Sequence, residues 1–187
     1  MRCLGALLAA GRSTRFGAED KLLAPWRGRP LLAWAAEALA GAGCTELVAV
    51  ISSPQVAVAL PASFNRLWIA PGLPMSQSFR LALQHARQRG ADGLLLALAD
   101  MPNIDAALLA RLLRHPAGAA CSDGQRRLPP AFIPAAGFDA ALATSEGDFG
   151  ARAYIAGLPE TQLLRIAPHQ AHDVDRPQDL QAQALPG

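Results

Sequence analysis

The stretch LLAAGRSTRFGAEDKLL, residues 7–23, contains the features that best predict the fold. An apolar run stops at Gly11, and a loop with arginine, glycine and hydroxyl side chains follows it. A short apolar run that ends in this way indicates a buried strand of a parallel sheet. Lys21 stands near the end of the stretch and is the only lysine among 17 lysine and arginine residues. A chain that otherwise uses arginine therefore has one compact ammonium group just after its first predicted strand.

Short apolar runs and helical patterns alternate along the rest of the chain. Strands are predicted at 4–9, 47–51, 67–70, 94–99, 117–121, 131–133, 163–166 and around Val174, and helices at 31–40, 76–89, 103–113, 138–143, 149–156 and 178–184. Buried strands separated by helices predict an α/β fold, a single three-layer domain with a mostly parallel sheet. Because ligands of such sheets bind at the carboxyl ends of the strands, the loops after Ala9, Ile51 and Ala99 are candidate site segments, together with the region near Val174.

The composition excludes several classes of function. The chain has 187 residues, of which 51% are hydrophobic, and its net charge is +2 with only Arg126 and Arg127 as adjacent basic residues. This balance argues against binding of nucleic acid or of a membrane surface. No stretch of about eighteen apolar residues could span a membrane, and the polar loop after the first apolar run argues against a signal peptide. Three cysteines without C-x-x-C spacing predict neither a disulfide framework nor a zinc site, which fits a reducing cytoplasm.

The loop after the first strand has two properties of a polyphosphate site. A ligand could approach its backbone N–H groups closely, because its first residues carry almost no side chain. These residues are Ala9, Ala10 and Gly11. The cations that follow them are Arg12, Arg15 and Lys21. The loop matches neither G-x-G-x-x-G nor G-x-x-x-x-G-K-[ST]. From these residues alone, a polyphosphate site and a plain glycine turn with solvated basic side chains remain equally open.

Six sequence elements, in order along the chain, resemble the signature of the MobA-like nucleotidyltransferases. They are A-A-G-R-S-T-R-F-G-A-E-D-K-L-L at 9–23, P-M-S-Q-S-F-R at 74–80, D-M-P at 100–102, P-P-A-F at 129–132, G-D-F-G-A-R at 147–152 and D-V-D-R-P-Q-D at 173–179. This family uses an NTP to activate a small phosphorylated acceptor. The A-A-G opening and the G-D-x-G-A-R element are most similar to its molybdenum cofactor cytidylyltransferase branch. Pro74, Arg176 and Gln178 depart from the family's pattern.

The resemblance implies roles for four charged residues. Asp100 and Asp175 would bind Mg²⁺, although their spacing in the sequence does not show that they meet. The alternative for Asp100 is a turn residue or a cap of the following helix. Lys21, expected at an exposed site, would neutralise charge at the α-phosphate as a mobile point charge. Arg15 would contact the triphosphate tail, with a solvated loop arginine as the alternative. Lys21, Arg15 and Asp100 are then the catalytic candidates.

Base, ribose and acceptor contacts are also implied by the resemblance. The nucleotide would be contacted by the backbone and side chains of residues 9–12 and by Ser76 and Ser78. These two serines open a predicted helix, so they could equally cap it. Asp148 and Arg152 would belong to the acceptor side, and their spacing of four residues would pair them on one helix.

The sequence therefore predicts a cytoplasmic, Mg²⁺-dependent enzyme with a Rossmann-like nucleotidyltransferase fold over residues 1–187. Residues 1–115, approximately, would bind the NTP, and residues from about 116 to 187 the acceptor. The enzyme would transfer CMP from CTP to the molybdopterin-type molybdenum cofactor, with a client molybdoenzyme or its chaperone as a further partner. One alternative is a related nucleotidyltransferase that uses GTP or another NTP, or a sugar or alditol phosphate acceptor. An alternative of another class is a noncatalytic domain that binds and delivers the cofactor.

Overall fold

The computed structural model describes residues 1–11, 16, 20–145 and 150–183. Its strands are β1 (Cys3–Ala9), β2 (Pro25–Trp26), β3 (Arg29–Pro30), β4 (Glu46–Ile51), β5 (Asn65–Trp68), β6 (Gly93–Leu98), β7 (Ala119–Ser122), β8 (Arg127–Pro134) and β9 (Leu163–Arg165). Its α-helices are α1 (Leu31–Ala40), α2 (Pro54–Ala59), α3 (Met75–Gln88), α4 (Ala106–Leu113), α5 (Phe138–Ala143) and α6 (Arg152–Ala156). Short 3₁₀ turns cover Lys21–Leu23, Ala135–Gly137, Glu160–Gln162 and Pro177–Gln183.

Seven strands form one sheet in the order β5-β4-β1-β6-β8-β7-β9, and β2 and β3 form a separate hairpin. β1 pairs in parallel with β4 and β6, β4 with β5, and β7 with β9, whereas β8 is antiparallel to both β6 and β7. All strands of the sheet except β8 therefore run in one direction, and their carboxyl ends meet at one edge. The predicted α/β fold with a mostly parallel sheet is confirmed.

Helices cover both faces of the sheet, as the three-layer prediction requires. α1 and α4 pack on one face, and α3, α5 and α6 on the other, which is called the α3 face below. Residues of β1 alternate between the two cores, with Leu7 on the α1 side and Leu8 on the α3 face. Because both faces of the strand are buried, its sequence is a continuous apolar run and not an alternating one.

The prediction of a strand around Val174 is wrong. No strand lies there in the described part of the chain, and β9 ends at Arg165. Val174 is fully buried, and its N–H donates to the backbone oxygen of Asp100 at 2.9 Å. The apolar signal at Val174 thus reflects an anchor that holds a loop against the end of β6.

The helix predicted at 103–113 begins later, at Ala106. The carboxylate of Asp105 accepts the N–H of Leu108 at 2.7 Å and caps the first turn. α2 was not predicted, although Ser53 caps it and Pro54 occupies its first turn, a combination that favours a helix start.

Two further features of the fold are the state of the cysteines and the length of the helices. Cys3, Cys44 and Cys121 are free thiols. Among the residues that the structure describes, no helix is both long enough and apolar enough to cross a membrane.

The pairing of β6 with β8 predicts a strict requirement for glycine at position 93. A Cβ at Gly93 would lie 2.4 Å from Cε2 of Phe132, a ring that is almost completely buried. Gly93→Ala should therefore destabilise the protein by about 1–3 kcal/mol, or about 2–4 °C in melting temperature for each kcal/mol. Gly157→Ala is the matched control, since its Cβ would only approach a backbone oxygen at 3.5 Å. Equal melting temperatures for the two variants would contradict this packing.

Candidate active site

The side chains of Lys21, Asp100 and Asp175 meet at the carboxyl edge of the sheet. The Nζ atom of Lys21 donates to Oδ2 of Asp100 at 2.7 Å and lies 3.4 Å from Oδ1 of Asp175. It also donates to the backbone oxygen of Val174 at 3.0 Å. Three segments that are far apart in the sequence therefore converge on one ammonium group.

A 3₁₀ turn, Lys21–Leu23, sets the position of the lysine. The carboxylate of Asp20 accepts the N–H of Leu22 at 3.0 Å and caps this turn, while the side chain of Leu22 is buried in the core. Lys21 is only 7% exposed. The prediction of an exposed lysine is therefore wrong, and the two carboxylates compensate for the loss of water around its charge.

Asp100 follows β6 and faces the lysine rather than the next helix. Its side chain is 16% exposed. α4 is capped by Asp105, so the alternative that Asp100 caps this helix is wrong. The end of the most apolar predicted strand thus places one carboxylate at the edge where ligands of parallel sheets bind.

A loop anchored at both ends positions Asp175. Before it, the backbone of Val174 is bonded to that of Asp100. After it, the carboxylate of Asp179 accepts the N–H groups of Asp175 and Arg176 at 2.8 and 2.7 Å. Burial by itself would raise the pKa of Asp179, but these two donors lower it below its ordinary value. The ionised Asp179 carboxylate therefore stabilises the turn that presents Asp175.

The electrostatics of the cluster keep the lysine charged. Burial by itself would lower the pKa of Lys21, but the charges and hydrogen bonds of Asp100 and Asp175 outweigh this effect and raise it above its ordinary value. Burial raises the pKa of the Asp100 carboxyl, and the Lys21 charge opposes this rise. The ammonium therefore acts as the counter-charge of two carboxylates in a poorly hydrated site.

Asp100 and Asp175 also fit a divalent cation. Both carboxylates contact the same ammonium, so they point to a common centre. Mg²⁺ prefers oxygen ligands and usually takes one or two carboxylates together with waters and substrate phosphates. Within the described residues, no group of three or more His, Cys, Asp or Glu side chains could hold a metal ion. Phosphate oxygens of a substrate would therefore have to supply part of the coordination.

The predicted serines lie beside this cluster on α3. Ser76 and Ser78 are 2% and 5% exposed. Pro74 occupies the cap position of α3, which has no side-chain cap, so the alternative that the serines cap the helix is wrong. Ser78 lines a small cavity together with Ala10, Lys21 and six further residues.

The structure describes only part of the predicted phosphate loop. Ala10 and Gly11 line the small cavity, and the methyl group of Ala10 belongs to the core of the α3 face. Ala9 packs into the core of the opposite face, so only its backbone is available to a ligand at this edge. Arg12 and Arg15 lie outside the described residues.

The acceptor-side motif lies close to α3, although Asp148 itself is outside the described residues. Arg152 is exposed and is the first residue of α6, so pairing with Asp148 stays a prediction. Ser145 donates from its hydroxyl to the backbone oxygen of Ser76 at 3.4 Å. At Gly150, an added Cβ would lie 3.1 Å from the side chain of Met75. Ser145, two residues before the motif, and Gly150 within it thus both contact the start of α3.

The sequence did not indicate the role of Val174 in the cluster. Its backbone oxygen accepts a hydrogen bond from Lys21. Every residue has a backbone oxygen, so such an acceptor cannot be recognised from the residue types. The only available signal was the apolar Val174 between Asp173 and Asp175, which indicates that the two aspartates flank a buried position.

Comparison with known sequences identifies relatives. A family model described as the MobA-like NTP transferase domain matches residues 5–165. The nicotine blue oxidoreductase of Paenarthrobacter nicotinovorans is 33% identical in an alignment of 172 residues, and the match covers 83% of this chain and 82% of that protein. A molybdenum cofactor guanylyltransferase of Xanthomonas euvesicatoria is 37% identical over 110 residues, 58% of this chain and 52% of that protein. The bifunctional protein GlmU of Sinorhizobium fredii is 36% identical over 115 residues, 57% of this chain but only 25% of GlmU.

Solved structures share the same fold. The crystal structure of Rv0371c from Mycobacterium tuberculosis H37Rv superposes with a TM-score of 0.80 and 26% identity, covering 97% of this chain and 96% of that one. The same protein in complex with manganese superposes with a TM-score of 0.78 and 25% identity, covering 98% of both chains. The family model spans most of the sequence, and these structures match nearly its whole length: the chain belongs to the MobA-like NTP transferase family.

Proposed function

We propose that the chain is a nucleotidyltransferase that transfers CMP from CTP to the molybdenum cofactor and releases pyrophosphate. The observation that carries this proposal is the contact of the Lys21 ammonium with the carboxylates of Asp100 and Asp175. Family membership supports nucleotidyl transfer, and the guanylyltransferase relative supports the molybdenum cofactor as acceptor. The A-A-G opening at residues 9–11 supports CTP, because it is similar to the cytidylyltransferase branch.

The proposed reaction brings two anions together. An oxygen of the acceptor phosphate attacks the α-phosphorus in line, the bond to the β-phosphate oxygen breaks, and pyrophosphate leaves. Most of the catalytic effect then comes from positioning and from neutralisation of charge. Asp100 and Asp175 would hold Mg²⁺ or Mn²⁺, which supplies Lewis-acid stabilisation of the phosphate oxygens when it is bound. Lys21 would turn its ammonium from the carboxylates to the α-phosphate and remain charged in both positions.

The nucleotide is proposed to lie along the loop after β1 and the start of α3. The base is proposed to lie at the mouth of the small cavity lined by Ala10, Gly11 and Ser78. The walls of this cavity include the methyl group of Ala10, which leaves less room than a glycine would. Arg12 and Arg15 are proposed to contact the triphosphate.

The acceptor is proposed to bind beyond the nucleotide, in the part of the chain from about residue 116 to 187. Asp148 and Arg152 are the proposed contacts, with residues 1–115, approximately, as the nucleotide-binding part. The packing of Gly150 and Ser145 against the start of α3 supports this division, because it brings the acceptor motif next to the proposed base site. A cytoplasmic location and delivery of the product to a client molybdoenzyme or its chaperone are part of the proposal.

The oxidoreductase relative supports a second candidate function. The nicotine blue oxidoreductase, whose match covers 83% of this chain, is named as an oxidoreductase, so a redox reaction is the rival. A noncatalytic delivery protein is a further rival. The buried ammonium held between two carboxylates favours nucleotidyl transfer over both rivals, because a cation can neutralise phosphate charge and one or two carboxylates are the usual protein ligands of Mg²⁺.

The experiment that separates these functions measures pyrophosphate release. The protein is incubated with each of the four NTPs, with and without molybdenum cofactor, in Mg²⁺ or in excess chelator. We expect pyrophosphate only with CTP, cofactor and metal together. Oxidation or reduction of an organic substrate without pyrophosphate release would favour the oxidoreductase, and binding of molybdenum cofactor without either reaction would favour delivery.

Removal of the Asp100 charge should abolish most of the activity. Asp100→Asn is nearly isosteric but weakens metal binding and removes a preorganised charge, which costs on the order of 10²–10³ in turnover. Asp105→Asn is the matched control, because asparagine caps a helix as well as aspartate does. Initial rates of pyrophosphate release are measured for Asp100→Asn and for Asp105→Asn and compared with the wild type. Full activity of Asp100→Asn, or full activity of the wild type in excess chelator, contradicts the metal assignment.

Nucleotide preference should depend on the methyl group of Ala10. We expect CTP to be used in preference to GTP by about 10- to 100-fold in kcat/KM, the equivalent of one lost hydrogen bond. Ala10→Gly should reduce this ratio by admitting the larger base. Ala9→Gly is the control for the ratio, since its methyl group packs on the other face. Competition between the two nucleotides for one acceptor checks this. Equal use of both by the wild type would refute the cytidylyl assignment.

The effects of substitutions at Lys21 and Asp100 on the free energy of unfolding should depend on each other. In chelator, Lys21→Met leaves two carboxylates without their counter-charge, and we expect a loss of about 1–3 kcal/mol in the free energy of unfolding. Asp100→Asn removes one of these carboxylates, so the double variant should lose less than the sum of the single variants. Denaturant titrations of the four proteins measure the coupling. Strictly additive losses would show that the ion pair does not stabilise the site.

A further inference from the structure

A second polar cavity, of about 220 Å³, lies at the same edge of the sheet as the Lys21 cluster. Its main lining residues are Ser122, Gly124, Arg126, Arg127, Glu160 and Arg165. β7 and β9 end there and run in the same direction as β6. Because β8 separates β7 from β6 and β9 lies beyond β7, the cavity lies two to three strand spacings, about 10–15 Å, from the end of β6.

The cavity also opens on the same face of the sheet as the proposed base site. Ala120 of β7 and Leu163 of β9 pack in the core of the α3 face. Side chains two residues further along each strand, Ser122 and Arg165, point to that face too. Ala10 of the proposed base site belongs to the same core. An elongated ligand along this edge could therefore contact both sites without crossing the sheet.

Arg165 is the arginine whose charge is left uncompensated in the cavity. Arg127 is paired with Glu160 and donates to the backbone oxygens of Ala156 and Leu158. Arg126 is paired with Asp123 at 3.2 Å. Within the described residues, no carboxylate lies at ion-pair distance from Arg165. The cavity therefore carries an excess positive charge.

The turn between β7 and β8 lies against the guanidinium group of Arg165. Gly124 has a φ of +95°, and a Cβ there would lie 2.8 Å from Nη2 of Arg165. The guanidinium of Arg165 thus packs directly on the glycine backbone. The carboxylate of Asp123 accepts the N–H groups of Gln125 and Arg126 at 2.8 and 2.7 Å and fixes the turn.

We propose that this cavity binds a second oxyanion group of the acceptor, with Arg165 and Arg126 as its donors. The proposal rests on the proposed function for the position of the reacting phosphate near Asp100. Guanidinium forks match the geometry of tetrahedral and oxo anions, and an oxomolybdenum group and a second phosphate share this chemistry. Arg165 ends β9, three strand spacings from β6, so an acceptor about 15 Å long would reach from the metal site to Arg165.

Equilibrium dialysis of the full chain with sodium molybdate or with inorganic phosphate tests this directly. Loss of a charged hydrogen bond should weaken binding by about tenfold or more, so Arg165→Gln should bind much less anion than the wild type at a concentration that half-saturates the wild type. Arg114→Gln is the control, since Arg114 is exposed and has no ion pair among the described residues. If Arg165→Gln loses the binding of molybdate but keeps that of phosphate, the anion group of the acceptor at this cavity is an oxomolybdenum group. If it loses the binding of phosphate but keeps that of molybdate, the group is a phosphate. Unchanged binding in Arg165→Gln, or no anion binding by the wild type, overturns the proposal.

A kinetic measurement links the cavity to the acceptor. Arg165→Gln should raise the KM for the acceptor by about tenfold or more, with the KM for the nucleotide unchanged. Equal changes in both constants would contradict an acceptor role. Since dialysis needs no turnover, loss of anion binding in Arg165→Gln together with an inactive wild type would support the cavity and reject the proposed function.

Discussion

The contact between one buried ammonium and two carboxylates is the interaction on which the site depends. Lys21, Asp100 and Asp175 come from three separate segments, and the charges of the largely buried Lys21 and Asp100 would be unfavourable at this edge without their partners. The backbone supports the contact, because the N–H of Val174 is bonded to Asp100 and its oxygen to Lys21. The cluster therefore assembles only when the sheet, the turn after the first loop and the late loop are all in place.

The parallel sheet explains why these segments meet. β1 and β6 are neighbours and end at the same edge, so the chain that follows each strand begins within one strand spacing of the other. The loop that ends at Asp175 starts from β9, at the far side of the sheet, and returns along this edge with Val174 buried beneath it. The edge thus carries the Lys21 cluster at its middle and the arginine cavity towards β9, an arrangement suited to a ligand with two anionic ends.

Much of the fold could be predicted from the sequence, because burial and periodicity leave strong signals. The apolar strands and the helix at 31–40 are examples. Two kinds of feature could not be predicted. The buried state of Lys21 depends on partners at positions 100 and 175, and sequence spacing does not show which charges meet. Val174 was misassigned as a strand residue because an isolated buried anchor and a short buried strand have the same apolar signature.

A crystal structure with Mn²⁺ and a nonhydrolysable CTP analogue would test the central claim most directly. We predict an anomalous manganese peak between the carboxylates of Asp100 and Asp175. We also predict that the Lys21 ammonium has moved from these carboxylates to the α-phosphate, with the base beside Ala10. A nucleotide bound elsewhere, or Lys21 still held between the two aspartates with the analogue in place, would contradict the account.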